Sequence, residues 1–265
     1  LPPVIEGVVF DDRNGNGVLD KAEPGIPDVA VSDGQTIVRT DAKGHWMLYP
    51  SEATMVFVIK PDGWRVPMTQ TGLPDFWVDV HSERANQSIQ FALRKKTDKS
   101  KKNLANQNKL DLLVFGDPQP KNNQDVGYYE KDIVEPIIGH EQAELGISLG
   151  DIVHGNLALY PAMNRVTARL KTPWLHVAGN HDRDYGAFND ESSLATFSKY
   201  YGPDTFAWEE SGVSIIAIDD VVHEPNSGVP AKYVGGLRES QFQFLQSYLS
   251  RLPRSEEHTS ELQSR

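Results

Sequence analysis

The 265-residue sequence contains no cysteine. Disulfide bonds, thiolate catalysis and cysteine-bound zinc are therefore excluded as sources of stability or chemistry. No apolar run reaches the roughly 20 residues that a membrane-spanning helix needs. Lys and Arg together number 26 against 37 Asp and Glu, which gives a formal net charge of -11. That charge disfavours nucleic acid as a partner, because binding to a phosphate backbone requires a basic surface.

The first third of the chain follows a pattern of short β-strands. Stretches such as VIEGVVF, QTIVRT and TMVFVIK alternate with turns of Gly, Asp, Pro and Asn at intervals of roughly 8–12 residues. This pattern is typical of an all-β sandwich, which we assign to residues 1–93. Residues 94–109 are rich in Lys and almost free of large apolar side chains, so they are interpreted as a solvated linker. The alternative for this segment is a basic binding arm.

From Leu110 onwards, apolar strand-like stretches alternate with helical ones. LDLLVFGD, LGISLGD and PWLHVAGNHD indicate strands, while YYEKDIVEPIIGH and LYPAMNRVTARLK favour helices. This β-α-β-α-β order predicts a sheet with helices packed against it. A hairpin is expected over 206–220, and apolar residues at helical spacing predict a last helix over 238–252. The predicted fold class is therefore α+β and multidomain, with an α/β domain over 110–253.

A twelve-residue segment of the β half matches a calcium-binding loop. Oxygen-bearing side chains stand at the ligand positions, Gly17 permits the sharp bend, and a backbone carbonyl fills the remaining position. The predicted ligands are Asp12, Asn14, Asn16, Val18, Asp20 and Glu23. The flanks differ from those of an EF-hand, because a strand-like stretch precedes the loop and Pro24 follows it. The alternative is a plain Asn-Gly turn between strands.

The wider pattern of this half, GVVFDDRNGNG followed by GIPDVAV and TDAKGHW, resembles the Cna-B/SdrD-type immunoglobulin-like modules. Those modules belong to bacterial surface and exported proteins, where most serve as spacers and some hold calcium in this same loop. The resemblance covers about the first ninety residues. It implies an immunoglobulin-like sandwich with a structural role, in a bacterial protein that is periplasmic, secreted or attached to the cell surface.

Polar side chains follow each of the three predicted strands of the second half. FGDPQ contributes Asp117 and Gln119, LGDIVHG contributes Asp151 and His154, and AGNHD contributes the run 180–182, which consists of Asn180, His181 and Asp182. The acids are separated by about one strand-helix-strand unit, so they return to one edge of the sheet. Two carboxylates, two amide oxygens and an imidazole at that edge are donors suited to a pair of divalent ions.

These three motifs, in this order, resemble the signature of the calcineurin-like metallophosphoesterase family, D-x-H…G-D…G-N-H-[DE]. The resemblance implies that Asp117 binds a first metal, Asp151 bridges two metals and Asn180 binds the second. It also implies that His181 stands over the substrate phosphate as an acid and that Asp182 orients it. The implied activity is hydrolysis of a phosphorylated small molecule or a phosphodiester by water activated on two ions of Mn, Fe, Zn or Mg.

The sequence departs from this family at several places. Gln119 stands where the family usually has a histidine, so it is either a weak ligand or a hydrogen-bond partner of Asp117. His154 is interpreted as a residue that contacts the metal ligands, or as a surface residue. It is not interpreted as a metal ligand that replaces the usual histidine. The G-H-x-H pair with which the family continues is absent, and residues 254–265, RSEEHTSELQSR, resemble a translated sequencing adapter. We therefore expect residues 110–253 to hold only the N-terminal part of the domain, to bind metal weakly and to be nearly inactive.

Two other functions are consistent with the same residues. The first is a non-catalytic exported or cell-surface protein with a degenerate phosphoesterase fold, which the replacement at Gln119 favours. The second is a sugar-binding module, suggested by aromatic residues of the β half. Aromatic residues of this kind are more often part of a core. They are Trp46, Trp64, Phe76 and Trp77.

Overall fold

The fold is taken from a computed structural model. It describes residues 4–49, 54–82, 85, 88–96, 109–140, 143–225, 227–228 and 232–252. The predicted tail 254–265 lies outside the described residues, as does the predicted linker 94–109 except for its first three residues and its last. Within the described ranges, no helix combines the length and the apolar character that crossing a bilayer demands.

Two four-stranded sheets form the N-terminal module, as the strand pattern predicts. The strands are β1 (Ile5–Asp11), β2 (Ala30–Ser32), β3 (Ile37–Arg39), β4 (His45–Leu48), β5 (Met55–Val58), β6 (Trp64–Arg65), β7 (Trp77–Asp79) and β8 (Ile89–Lys95). One sheet has the order β4-β1-β8-β6 and the other β3-β2-β5-β7. Strand β4 alternates exposed and buried residues, so that Trp46 and Leu48 enter the core between the sheets.

A parallel three-stranded sheet organises the second module. Its strands are β9 (Leu112–Phe115), β10 (Leu145–Leu149) and β11 (Trp174–Val177), in the order β11-β10-β9. The helices are α1 (Asn123–Tyr128), α2 (Tyr160–Thr167), α3 (Ala195–Tyr201) and α4 (Glu239–Leu249). Two hairpins complete the module, β12 (Phe206–Glu210) with β13 (Val213–Ala217), and β14 (Val221–His223) with β15 (Tyr233–Gly235). The predicted hairpin over 206–220 and the predicted last helix are confirmed.

The first helix begins earlier than the sequence pattern predicts. Helix α1 starts after Asn122, whose side chain accepts the backbone N–H groups of Gln124 and Asp125 and so caps the helix. It continues through a π-helical turn, Tyr129–Val134, and ends in a 3₁₀ turn that contains Pro136. The apolar pattern over 128–140 captures only the second half of this element, because its capped first turn is polar.

One hydrophobic core spans both modules. The β5 and β7 side of the sandwich packs against the β12–β13 hairpin and α4. Ring centroids of Phe76 lie 5.4 Å from Phe206 and 5.7 Å from Trp208, and those of Phe57 and Phe244 are 6.1 Å apart. A second cluster, on the helical face of the parallel sheet, contains residues of α1, α2 and α3. The parallel sheet therefore lies between its helices and the seam with the β module.

A buried ionic group crosses this seam. The side chain of Lys60 is 1% exposed and its Nζ donates to Oε2 of Glu210 at 2.8 Å and to the backbone carbonyl of Glu209 at 2.7 Å. Lys96 pairs with the other carboxylate oxygen of Glu210. Burial lowers the pKa of Lys60, and its ammonium lies 5.5 Å from the ring centroid of Trp208. The charge of Lys60 is therefore compensated mainly by Glu209, Glu210 and Trp208, which belong to the other module.

Removing one charge of this buried ionic group is expected to destabilise the folded chain. Glu210→Ala leaves the buried ammonium of Lys60 without its carboxylate, so the free energy of unfolding should fall by about 3–5 kcal/mol. The double variant Lys60→Met/Glu210→Leu removes both charges and should recover most of that loss. Urea unfolding monitored by tryptophan fluorescence measures both values.

The matched control is the exposed pair of Arg39 and Asp28, whose side chains are 3.0 Å apart. Asp28→Asn removes the charge of that pair and should cost less than about 1 kcal/mol, because exposed ion pairs contribute little and Asn tolerates the left-handed φ of 60° at this position. If Glu210→Ala costs no more than Asp28→Asn, the seam does not depend on its buried charges.

Candidate metal centre

The carboxyl ends of the three parallel strands meet at one edge of the sheet, and each is followed by a tight loop. Three non-glycine residues of these loops lie in the left-handed region: Asp117 with φ 47°, Gln119 with φ 43° and Asp151 with φ 50°. Such conformations cost on the order of 1–3 kcal/mol each. They persist only where surrounding contacts hold them, so the contacts of these loops are informative.

The carboxylate of Asp151, which is 6% exposed, joins all three loops. Its Oδ2 accepts the Nε2 amide of Gln119 at 2.9 Å, and its Oδ1 accepts the backbone N–H of His181 at 2.9 Å. The backbone carbonyl of Asp151 accepts the N–H of Gln119 at 3.1 Å. Gly179 is required beside it, because a Cβ there would lie 2.2 Å from Oδ1 of Asp151.

The amide of Gln119 lies between two carboxylates. Its Nε2 is 2.9 Å from Asp151 and 3.5 Å from Oδ1 of Asp117, while its Oε1 is 3.1 Å from Nδ1 of His154. Asp117 is exposed, whereas Gln119 is half-buried. The side chains that follow β9 and β10 are therefore brought together, with Gln119 as the hydrogen-bond donor between the acids.

Two imidazoles stack beside these acids. The ring centroids of His154 and His181 are 4.1 Å apart, and the rings are inclined by 30°. Burial, and after it the charges of His181 and Lys121, lower the pKa of His154. Nδ1 of His181 contacts the hydroxyl of Tyr185 at 2.9 Å. His154 is thus a partner of Gln119 and of the His181 ring.

Asp182 differs from the role that the family resemblance implies. Its buried carboxylate accepts the N–H of Gly179 at 2.9 Å, the N–H of Ile152 at 3.2 Å and the hydroxyl of Tyr160 at 2.9 Å. Burial raises the pKa of Asp182 to about 6. Asp182 therefore holds the backbone of the turn that carries His181, and it is Tyr185 that meets the imidazole.

Asn180 begins the 3₁₀ turn Asn180–Asp182 and is half-buried. Its backbone carbonyl accepts Nε of the buried Arg183 at 2.9 Å. The guanidinium of Arg183 also contacts Nδ1 of His223 at 3.0 Å, which links this turn to strand β14. Sequence reasoning missed the supporting residues Tyr160, Tyr185 and Arg183, because no motif marks a residue that contacts the site only after folding.

The donors at this edge fit a divalent cation in part. Carboxylates of Asp117 and Asp151 and amides of Gln119 and Asn180 are hard donors that suit Mn or Mg. Across the described ranges, however, no three side chains drawn from His, Asp and Glu gather closely enough to hold an ion. The edge thus supplies suitable types of donor, while Gln119 turns its Nε2, a hydrogen-bond donor, towards both carboxylates.

The predicted calcium loop is closed by hydrogen bonds to its own backbone. The carboxylate of Asp12 accepts the N–H groups of residues 15–17, and Glu23 accepts those of residues 13, 14 and 20. Asn14 and Asn16 both donate their side-chain amides to Asp20, at 2.6 Å and 2.9 Å. The side chain of Val18 is exposed. The predicted ligands thus form two groups. The carboxylates of Asp12 and Glu23 face the loop backbone, while the side chains of Asn14, Asn16 and Asp20 contact one another.

Asp182→Ala is expected to loosen the turn that carries His181. The change leaves two backbone N–H groups and the hydroxyl of Tyr160 without their acceptor, so the free energy of unfolding should fall by about 3 kcal/mol or more. Tyr160→Phe removes a single bond to the same carboxylate and should cost about 1 kcal/mol. Denaturant unfolding measures both.

The exposed Asp220 provides the control, since Asp220→Ala should change stability by less than about 0.5 kcal/mol. Equal effects of Asp182→Ala and Asp220→Ala would contradict this role.

Each of the two modules matches a known family model. Residues 110–243 match the family model described as Calcineurin-like phosphoesterase. Residues 13–96 match the model described as N terminal of Calcineurin-like phosphoesterase, and they coincide with most of the β module. No match was found among curated proteins. The first of these matches alone spans half of the sequence, and the chain therefore belongs to the calcineurin-like phosphoesterase family.

Proposed function

We propose that this protein is a metal-dependent hydrolase of phosphate monoesters or diesters. Its metal donors are Asp117, Gln119, Asp151 and Asn180, and His181 is its acid. Membership of the phosphoesterase family supports the reaction class. The observation that carries the assignment of residues is the hydrogen-bonded cluster at the sheet edge, in which Asp151 binds both Gln119 and the backbone of His181.

The described side chains suggest how such a reaction proceeds. Bound divalent ions supply an activated water and offset the charge of the phosphoryl oxygens. Asp117 and Asp151 provide negative charge to hold the cation. The Nδ1 of His181 is engaged by Tyr185, so Nε2 is the nitrogen that donates a proton to the leaving oxygen. Asp182 keeps the turn fixed while this transfer takes place.

We propose that turnover by this chain is low. Gln119 brings a neutral amide to a position where the family usually has an imidazole, and amides are weaker ligands. The described part of the chain also lacks a gathering of three His, Asp or Glu side chains. The alternative function, a non-catalytic exported protein with a degenerate fold, requires no turnover at all. The intact cluster around Asp151 favours the hydrolase.

Activity assays separate these functions. With Mn²⁺, the protein should hydrolyse p-nitrophenyl phosphate or its bis ester above the buffer rate and more slowly than family members that carry a histidine at the position of Gln119. Asp151→Asn should abolish the metal-dependent rate. His181→Ala should lower kcat by about 10²–10⁴-fold for alkyl esters, and by less for p-nitrophenyl esters, whose leaving group needs no proton.

The control for these variants is Asp132→Asn, which changes an exposed acid on the π-helical turn and should leave the rate unchanged. Equal rates for wild type and Asp151→Asn would contradict the proposed site. No turnover with Mn²⁺, Mg²⁺, Zn²⁺ or Fe²⁺ would favour the non-catalytic alternative. Turnover equal to that of a family member with a histidine at the position of Gln119 would contradict the proposed weakness of the site.

We also propose that the β module is an immunoglobulin-like spacer that binds Ca²⁺, and that the protein is exported by a bacterium. The resemblance to surface modules supports both statements. For calcium, the supporting observation is that the amides of Asn14 and Asn16 converge on the carboxylate of Asp20. These three residues are hard oxygen-bearing donors of the kind that Ca²⁺ prefers.

Thermal unfolding tests the calcium proposal. Extracellular calcium modules have Kd values of about 10⁻⁴–10⁻³ M, so Ca²⁺ at about 5 mM should stabilise the folded state by about 1–2 kcal/mol. This stabilisation should raise Tm by several degrees. Asp20→Ala should lose that shift, while Asp28→Ala, in the same module, should keep it. A Tm that does not respond to Ca²⁺ would contradict the proposal.

A further inference from the structure

A groove with a volume of about 460 Å³ opens at the seam between the two modules. It is bordered by strands β5 and β7 and residues 69–75 on one side and by helix α3 on the other. None of the residues assigned to the metal centre lines it. Its volume lies within the range of about 300–1,000 Å³ that is usual for small-molecule sites. The groove is therefore a separate feature that the phosphoesterase site does not account for.

Two aromatic side chains, one from each module, line the groove. Trp77 of β7 and Tyr200 of α3 are both half-buried. The indole of Trp77 is held by Gly202, where a Cβ would lie 2.5 Å from Cδ1 and Nε1 of the ring. Gly202 also has φ of +90°, so any side chain there would be strained as well as displaced. The indole is thus fixed at the groove, while part of it remains accessible.

The packing behind Trp77 is incomplete. A small second cavity, of about 10 Å³, is lined by Leu73 and Trp77 and also by His176. His176 is buried, and neither of its ring nitrogens has a hydrogen-bond partner among the described residues. Burial lowers the pKa of His176 to about 3, so the ring is neutral. A cavity of this size has room for about one water molecule, which would give the His176 ring a hydrogen-bond partner behind Trp77.

Polar groups surround the two aromatic rings. Asp75 and Asp79 contribute carboxylates, and Lys199 contributes an ammonium at the edge of the groove. Hydroxyl groups come from residues 69, 71 and 82, and the hydroxyls of the two threonines are 2.9 Å apart. Two acids against one cation give the groove a negative charge, which disfavours phosphate and other anions. A purely apolar ligand would remove these charged groups from water without replacing the hydrogen bonds that water makes to them, which is unfavourable.

An aromatic ring beside carboxylates and hydroxyls matches the chemistry of a sugar ring. The C–H face of a pyranose packs on an aromatic side chain, while its hydroxyl groups donate to carboxylates and exchange hydrogen bonds with hydroxyl side chains. Of the four aromatic residues that suggest sugar binding in the sequence, Trp46 and Phe76 are buried in the core. Trp77 is the one that lines the groove. We propose that this groove binds a neutral saccharide of one or two pyranose units, seated against Trp77.

The full-length protein is tested with glucose, N-acetylglucosamine, maltose and cellobiose, by saturation-transfer NMR and calorimetry. At least one of these sugars should bind with a Kd of about 10⁻⁴–10⁻³ M, about −4 to −5.5 kcal/mol. Trp77→Ala should weaken binding at least tenfold. Asp79→Asn keeps the shape of the side chain and should weaken binding about fivefold, so the test stands even if Trp77→Ala folds poorly. Trp64→Ala, which changes a half-buried tryptophan outside the groove, should keep the affinity.

Three further results decide the proposal. Asp151→Asn should leave sugar affinity unchanged, which separates the groove from the metal centre. Glucose 6-phosphate should bind no more tightly than glucose, because the groove is acidic. The proposal is overturned if none of the four sugars binds, if Asp79→Asn and Trp77→Ala both bind as the wild type does, or if tetramethylammonium binds where the sugars do not.

Discussion

The buried carboxylate of Asp151 is the contact on which the candidate metal centre depends. Parallel strands bring three loops to the same edge of the sheet, but they do not set the distances between the loops. Asp151 sets them by accepting the Gln119 amide with one oxygen and the His181 backbone with the other. Burying a carboxylate without partners is costly, so these bonds and the absent side chain of Gly179 define its position. The left-handed backbone of the loops follows from this constraint.

The strands that carry this site are predicted well from the sequence. The residues that hold its loops in place are predicted poorly. The three strands and the edge at which the acids meet follow from apolar runs that each end in a Gly-Asp or Gly-Asn motif, since parallel topology is local and repetitive. The hydrogen-bond donors to Asp182, by contrast, include the hydroxyl of Tyr160, 22 positions away. Such a bond depends on how a helix packs on the sheet, and no spacing rule encodes it. Tyr185 escaped prediction for the same reason, although it lies only four residues beyond His181.

The sequence pattern suggests two independent modules, whereas in the structure they share one hydrophobic core. Composition changes sharply at the Lys-rich segment, which suggests independent domains joined by a linker. Strand β5 nevertheless carries an early sign of the seam, because residues 56–59 are apolar without alternation and all four are buried. A strand of that kind is covered on both faces. One face meets the sandwich core and the other meets the β12–β13 hairpin, where Lys60 and Glu210 then place their buried charges.

The seam also reaches the metal centre, although the β module contributes no residue to it. The ring of Tyr200, which lines the groove beside Trp77, lies 5.5 Å from that of Tyr160. The hydroxyl of Tyr160 donates to the carboxylate of Asp182, which holds the turn bearing His181. Tightly packed aromatic rings move little independently, so the position of helix α3 against the β module helps to determine where that turn lies. The N-terminal module thus acts on the site through packing, which gives a physical reason for the two modules to share one core.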